Sequence, residues 1–358
     1  MDKEEKCKYR GVNKGGAERM IESSVSNKKT KRENLETTSK IPELEQKIRP
    51  SKLEEIIGRK TEKETLKMMI DSARKRNEVI DHILFYGPPG LGKTTFAMAI
   101  ANEIGSSIKI TSGPAVERQG DLAAIVTGLK ANDVLFIDEI HRLSKVVEEI
   151  LYPAMEDRVL DIIMGKGPSA KTIRLTLEPF TLIGATTQIG RISSPLRDRF
   201  GLIQRLDFFS QSDLVSILER ASKLWEIEVE KEALKMLANC SRGTARVGLR
   251  LLRRTRDYAD KEKSDVVTEE IVKRTMELLG VDLQGLEEID RVILRTILNN
   301  FAGGPIGLST LAASISEDEV TLADVHEPYL MKCGYIKRTS RGRVLTTKGL
   351  KYIESIDG

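Results

Sequence analysis

The string Gly87-Pro88-Pro89-Gly90-Leu91-Gly92-Lys93-Thr94 (GPPGLGKT) decides the fold. It lies between an apolar run, His82-Ile83-Leu84-Phe85-Tyr86, and a stretch from Lys93 to Ile104. In that stretch Phe96, Ala97, Ile100, Ala101 and Ile104 recur at helical spacing. Strand, glycine-rich loop and amphipathic helix in that order make GxxxxGK[ST] a phosphate-binding loop. Backbone N–H groups surround a multiply charged phosphate only where side chains are absent, and the following helix adds the positive end of its dipole. Lys93 then supplies a cation to the β- and γ-phosphates, and the Thr94 hydroxyl is placed to ligate Mg²⁺.

Downstream, Asp133-Val134-Leu135-Phe136-Ile137 reads as a second buried strand, with Asp138 and Glu139 at its end. Carboxylates at the C-terminal end of a buried strand face the ligand crevice. Asp138 is suited to the Mg²⁺ shell and Glu139 to polarising an attacking water. Phe180-Thr181-Leu182-Ile183-Gly184-Ala185 predicts a third strand, closed by Thr186 and Thr187, whose hydroxyls are candidates for the γ-phosphate or the water. His141, beside the second carboxylate, reads as a packing or supporting residue. Strands alternating with helical stretches predict a parallel sheet flanked by helices, an α/β P-loop domain.

Around this centre the chain divides. Residues 1–40 are polar and carry 11 Lys/Arg against 7 Asp/Glu, an excess that equals the net charge of +4. They read as a disordered basic tail. The other 318 residues balance to zero, so a nucleic-acid argument needs a local patch. Residues 41–209 form the expected ATPase domain. After Phe209 the strand signal stops, and residues 210–280 predict a helical lid, with helices over Asp213–Trp225 and Lys231–Cys240 and caps at Ser212-Asp213 and Thr268-Glu269. Residues 281–358 predict helices at Glu287–Asn299, Leu308–Ser316 and Thr321–Cys333. A hairpin, Tyr335–Thr339 with Arg343–Thr346, completes the order of a winged helix. Residues 331–353 hold Lys332, Lys337, Arg338, Arg341, Arg343, Lys348 and Lys351 and no acid, a pattern for backbone-directed DNA contact.

The rest of the composition is exclusionary. Aromatics are 4% of the 358 residues and 31% are charged, which favours helix-rich α/β architecture over a β-sandwich. No apolar run reaches membrane-spanning length, and the N-terminus lacks a signal peptide, so the expected location is cytoplasmic. Cys7, Cys240 and Cys333 have neither zinc nor disulfide spacing.

P-loop, DEIH, GATT and PLRDRFG strings followed by a helical lid with RGTAR resemble an AAA+ ATPase. Longer strings, including IKITSGPAVERQ (108–119), VEEILYPAMED (147–157), IMGKGPSA (163–170), LLRRTRDYA (251–259) and EPYL (327–330), resemble the RuvB family from about Ile41 to Ile353. RuvB is the bacterial Holliday-junction branch-migration motor. The resemblance implies a homo-hexameric ring around duplex DNA, hydrolysing ATP between subunits, with a RuvA-like junction-binding partner and a RuvC-like resolvase in the same complex. Gly90, Lys93, Thr94 and Thr95 match the phosphate-binding positions. Ile48 and Arg49 match the segment touching adenine, and Glu156, Asp157 and Arg158 match another nucleotide-contacting stretch. Arg199 matches the arginine finger and Arg246 the second sensor. Arg338 and Arg343 match DNA-contacting arginines of the wing, and 160–177 matches a hairpin that docks RuvA. The family usually has Tyr at the nucleotide-contacting position of Phe209, an uncharged residue at Arg158, and Gly-Thr-Pro-Arg where this chain has Gly-Thr-Ala-Arg at 243–246. The P-loop and Glu139 alone also fit an ATP-controlled DNA-bound switch or a protein unfoldase. Duplex-stimulated turnover coupled to junction movement distinguishes the motor.

Overall fold

The computed structural model describes residues 48–164 and 171–357. The basic tail and the tip of the 160–177 hairpin lie outside the described residues.

From Pro50 the chain builds an α/β domain. Helix α1 (Lys60–Arg76) leads into strand β1 (Ile83–Tyr86), the glycine loop and α2 (Lys93–Ile104). Then follow β2 (Ile108–Ser112), α3 (Gln119–Val126), β3 (Val134–Asp138), α4 (Lys145–Glu156), β4 (Val159–Met164), β5 (Lys171–Thr176), β6 (Thr181–Thr186), α5 (Ser194–Arg197) and β7 (Leu202–Arg205). The sheet order is β2-β3-β6-β1-β7, all pairs parallel. The central strands β1, β3 and β6 carry near-continuous apolar runs because helices cover both faces. The edge strands β2 and β7 keep part of their length in solvent, so their sequences lack such a run. β4 and β5 form a separate antiparallel hairpin pairing Val159 with Thr176 and Asp161 with Arg174.

The lid comprises α6 (Gln211–Leu224), β8 (Glu228–Val229), α7 (Lys231–Cys240), α8 (Ala245–Glu262), β9 (Val266–Val267) and α9 (Glu269–Leu278). Two details correct the sequence reading. Ser210, not Ser212, caps α6: its hydroxyl accepts the Asp213 N–H at 3.1 Å and Asp213 returns a bond to the Ser210 N–H, a capping box. The lid also contains a two-residue parallel bridge, β8 with β9, too short to leave a strand pattern.

The C-terminal domain has α10 (Glu288–Phe301), α11 (Leu308–Ile315), α12 (Glu327–Lys332), the hairpin β10 (Ile336–Thr339) with β11 (Gly342–Leu345), and α13 (Thr347–Asp357). The helix expected over Thr321–Cys333 is interrupted. Residues Leu322–His326 form a π-helical turn, where the Glu327 N–H reaches back to the Leu322 carbonyl. Pro328 explains it, because its ring cannot follow an α-helical turn and offers no N–H. Leu294, Ile297, Leu311, Leu330 and Ile353 are among the residues of its core.

Candidate functional site

The loop after β1 is shaped for a ligand with phosphates. Gly87, Gly90 and Gly92 all hold positive φ, at 140, 80 and 92°. A Cβ on Gly87 would collide with the Leu206 carbonyl, and one on Gly90 would come within 2.9 Å of the Arg246 Cβ. Gly92 caps α2 without any side-chain acceptor, leaving first-turn N–H groups to a ligand. Lys93 is only 9% exposed. Its ammonium donates to the Gly87 and Pro88 carbonyls at 2.8 and 2.9 Å, spanning the loop. Burial pushes its pKa down to about 8, partly opposed by the Asp138 and Glu139 carboxylates and reinforced by Arg246. Lys93 thus feels the carboxylates of β3 and, from the lid, Arg246. Thr94 and Thr95 occupy the first turn of α2, half-buried.

Asp138 ends β3 with one oxygen accepting the Glu139 N–H at 2.9 Å. Glu139 adopts left-handed φ (47°), which turns the chain sharply out of the strand. Its carboxylate pairs with Arg142 at 3.0 Å. The two threonines after β6 separate in role. Thr186 is buried, and its hydroxyl is engaged by His141 Nδ1 at 2.9 Å and by the Gln188 N–H at 2.9 Å. Thr187, the next residue, is half-buried just past the strand end. His141 thus supports the end of β6 through the Thr186 hydroxyl.

Arg199 is elsewhere. The P-loop follows the C-terminal end of β1, whereas Arg199 stands just before β7, whose first residue donates to the carbonyl of His82, the residue preceding β1. In a parallel sheet these are opposite ends of the strands, and the four residues of β1 alone span roughly 13 Å. Here Arg199 pairs with Glu156 at 2.9 Å, donates to the Pro195 carbonyl at 2.6 Å and lies over the Tyr152 ring at 4.5 Å. Its buried Nε finds no partner among the described residues. Arg158, at φ 56° just beyond α4 and its cap Asp157, joins Arg199 and Asp198 around a cleft of about 300 Å³. Glu156, Asp157, Arg158 and Arg199 are therefore one group, at the opposite end of the strands from Lys93. Phe209 lies at the lid entry, its amide bonded to the Gly243 carbonyl and its ring under the Arg59 guanidinium at 4.5 Å. The Arg59 contact leaves no local mark in the sequence, since the two residues are 150 positions apart. Ile48 and Arg49 precede Pro50, and their place at adenine rests on the resemblance.

The wing divides the two arginines assigned to DNA. Arg338 and Arg343 face each other directly across β10 and β11. Like charges there repel, and Glu327, 1% exposed, neutralises both. Arg343 is 12% exposed and binds Glu327 through two nitrogens, one at 3.1 Å, so it is chiefly a structural partner. Arg338 remains 54% exposed. Lys337 and Arg341 of the same hairpin are exposed, as is Lys351 on α13. The sequence reading saw a segment without acids and missed Glu327, which arrives from α12.

The same organisation recurs in known proteins. A family model described as the Holliday junction DNA helicase RuvB P-loop domain matches residues 48–206. The RuvB AAA lid domain matches 209–282, and the RuvB C-terminal winged helix domain matches 283–354. The Holliday junction branch migration complex subunit RuvB of Fusobacterium nucleatum is 50% identical over 315 residues, covering 88% of this chain and 95% of that protein. The Thermotoga maritima RuvB Holliday junction branch migration motor is 47% identical with a TM-score of 0.78, covering 86% of this chain and 98% of that one. A lysine-to-arginine mutant of the same Thermotoga protein superposes with a TM-score of 0.79 at 48% identity over the same shares.

Proposed function

The chain belongs to the RuvB family of P-loop AAA+ ATPases and branch-migration motors, and from that premise we propose that it drives duplex DNA through a Holliday junction as a homo-hexameric ring. The observation that carries this reading is the place of Arg199, at the end of the strands opposite its own P-loop. An arginine there serves a γ-phosphate only across a subunit boundary, so each ATP is cleaved at a seam between neighbours.

Within that seam, the Gly87–Thr94 backbone and the first turn of α2 hold the phosphates. Lys93 leaves the Gly87 and Pro88 carbonyls for the β- and γ-oxygens, whose negative charge favours the ammonium that burial disfavours. The Thr94 hydroxyl and the Asp138 oxygen not bonded to Glu139 are hard donors that suit Mg²⁺; bound with the nucleotide, it would neutralise phosphate charge. Glu139 orients the attacking water and takes its proton once freed from Arg142. Thr187 supports that water or the γ-phosphate. Arg199 of one subunit stabilises charge in the transition state at its neighbour's site, an effect of order 10³–10⁵ in rate. Glu156, Asp157 and Arg158 belong to the same contributing face. Ile48, Arg49 and Phe209 hold the base, and Arg246 couples nucleotide state to the lid.

Duplex binding uses the exposed wing cations, with Arg338 the principal contact and Arg343 supporting it. They read backbone shape, so affinity falls steeply with salt. The 160–177 hairpin docks a RuvA-like junction-binding partner, and a RuvC-like resolvase acts in the same complex. Among the described residues no helix is long and apolar enough to cross a membrane, and the site of action is cytoplasmic DNA. The test is ATP turnover of wild type and Glu139→Gln with and without duplex DNA. Duplex should stimulate the wild type several-fold, and the variant should bind ATP with turnover lost. Turnover by Glu139→Gln at the wild-type rate contradicts the proposal.

A further inference from the structure

The turn that carries Arg246 is gripped from two sides. On one side it abuts the P-loop, where a Cβ on Gly90 would stand 2.9 Å from the Arg246 Cβ and 3.4 Å from the Thr244 Cβ. On the other side is Arg242, four residues earlier and at left-handed φ 53°. Its guanidinium enters the winged-helix domain and pairs with Asp290 of α10, Nη2 donating to Oδ1 at 3.3 Å and Nη1 to Oδ2. It also lies 4.6 Å over the Tyr329 ring. His326 Nδ1 sits 3.0 Å from Asp290 Oδ1. Asp290 is fully buried and Arg242 nearly so. Asp290 further accepts the Glu287 N–H at 2.9 Å, capping α10. Beside this cluster Gly285 packs against the end of α7 so closely that a Cβ would lie 2.7 Å from the Cys240 carbonyl.

Contacts between the winged helix and the ATPase domain differ in kind. Gln188 donates to Asp324 in the π-helical turn, both half-exposed. The Lys332 ammonium, partly desolvated, stands 4.6 Å over the Phe208 ring and lies against Gly243 of the lid turn, so it belongs with the lid contacts. Exposed polar contacts exchange with water at little cost, whereas separating a buried ion pair strands charge away from water. The cheaper contact to break is therefore Gln188–Asp324, not the buried Arg242–Asp290 pair.

We infer that Arg242 and Asp290 are the positioning pair that ties the winged-helix domain to the Arg246 turn, so that closing α8 on nucleotide carries the DNA-binding domain with it. The half-exposed Gln188–Asp324 contact then parts. This rests on the motor reading above and names the joint through which it acts.

Two variants and one distance measurement test it, all in the full chain with its junction-binding partner. Asp290→Asn keeps shape and the helix cap while removing charge. Arg242→Lys keeps charge and loses the forked pairing. Both should retain duplex-free ATP turnover, KM for ATP and duplex affinity within twofold of wild type, while junction migration per ATP hydrolysed falls at least tenfold. In otherwise wild-type protein, spectroscopic labels on unnatural amino acids at positions 67, 235 and 351 report the ATPase domain, lid and winged helix. The 235–351 distance should stay fixed on adding a non-hydrolysable ATP analogue, and the 67–351 distance should change. Migration per ATP at the wild-type level in either variant overturns the inference, as does a nucleotide-dependent 235–351 distance or a fixed 67–351 distance. Should the variants fail to fold, the distances decide. A wild type that does not migrate junctions contradicts the functional reading instead, and the distances still judge the joint.

Discussion

Replacing Lys93 with methionine should abolish nucleotide binding and yet leave the nucleotide-free protein as stable as before, or more so. The side chain is buried, and desolvation lowers its pKa to about 8 from an ordinary value near 10.5. At about 1.4 kcal/mol for each tenfold change in proton affinity, holding the ammonium charged at pH 7 costs roughly 3 kcal/mol relative to the unfolded chain. Methionine has similar length and no charge, so it relieves that cost. It also withdraws the donor from the Gly87 and Pro88 carbonyls, at about 1 kcal/mol each. The net expectation is a free protein between unchanged and about 1 kcal/mol more stable. The sign with pH follows from the lowered folded value. Between pH 8 and 10.5 the unfolded chain binds the extra proton, so wild-type stability rises with pH across that window. The wild type should gain about 2 kcal/mol on the variant from pH 7 to 9.5. Melting curves of both proteins at the two pH values measure it, since other lysines titrate alike in both and cancel. Adding Mg-ATP should raise only the wild-type transition. A loss above about 1 kcal/mol in Lys93→Met at pH 7, or a difference that ignores pH, refutes the reasoning.

Arg199→Ala should bind ATP normally and lose turnover by at least a hundredfold; mixed with wild type, it should depress turnover more than its share, as titrated mixtures would measure. Unchanged turnover would remove Arg199 from the seam. Arg338→Ala should weaken duplex affinity and reduce the slope of log affinity against log salt by about one, leaving the melting curve in place. Arg343→Ala should instead destabilise the winged helix by about 3 kcal/mol, because Glu327 is left buried with a single exposed partner. Equal effects of the two on the salt slope, without a change in melting, would reject that division.

Legibility in the sequence followed range. The P-loop, Asp138 and Glu139 are contiguous strings at the ends of buried strands, so their chemistry and placement could be read directly. β1, β3 and β6 are buried on both faces and announce themselves as apolar runs. β2 and β7 are edges with exposed positions such as Ile110 and Ile203, and β8 with β9 is too brief to make a pattern. The winged-helix order was legible, but the π-helical turn was not, because Pro328 permits several ways of breaking a helix. Tertiary partners were invisible. Glu327 reaches Arg343 across 16 positions, Asp290 reaches Arg242 across 48, and Arg59 reaches Phe209 across 150. Nothing local marks Thr186, rather than Thr187, as the hydroxyl consumed by His141. Arg199 could be matched to a role by resemblance, but its place opposite its own P-loop is a property of sheet topology.

The most direct measurement follows strand exchange in a synthetic four-way junction with the purified chain, a RuvA-like partner and Mg-ATP. Wild-type protein should resolve the junction into migrated duplexes while consuming ATP, and Arg199→Ala should consume none and leave the junction in place. Migration at equal rates with and without ATP hydrolysis, or brisk hydrolysis beside a stationary junction, would contradict the claim that ATP cleaved between subunits moves DNA.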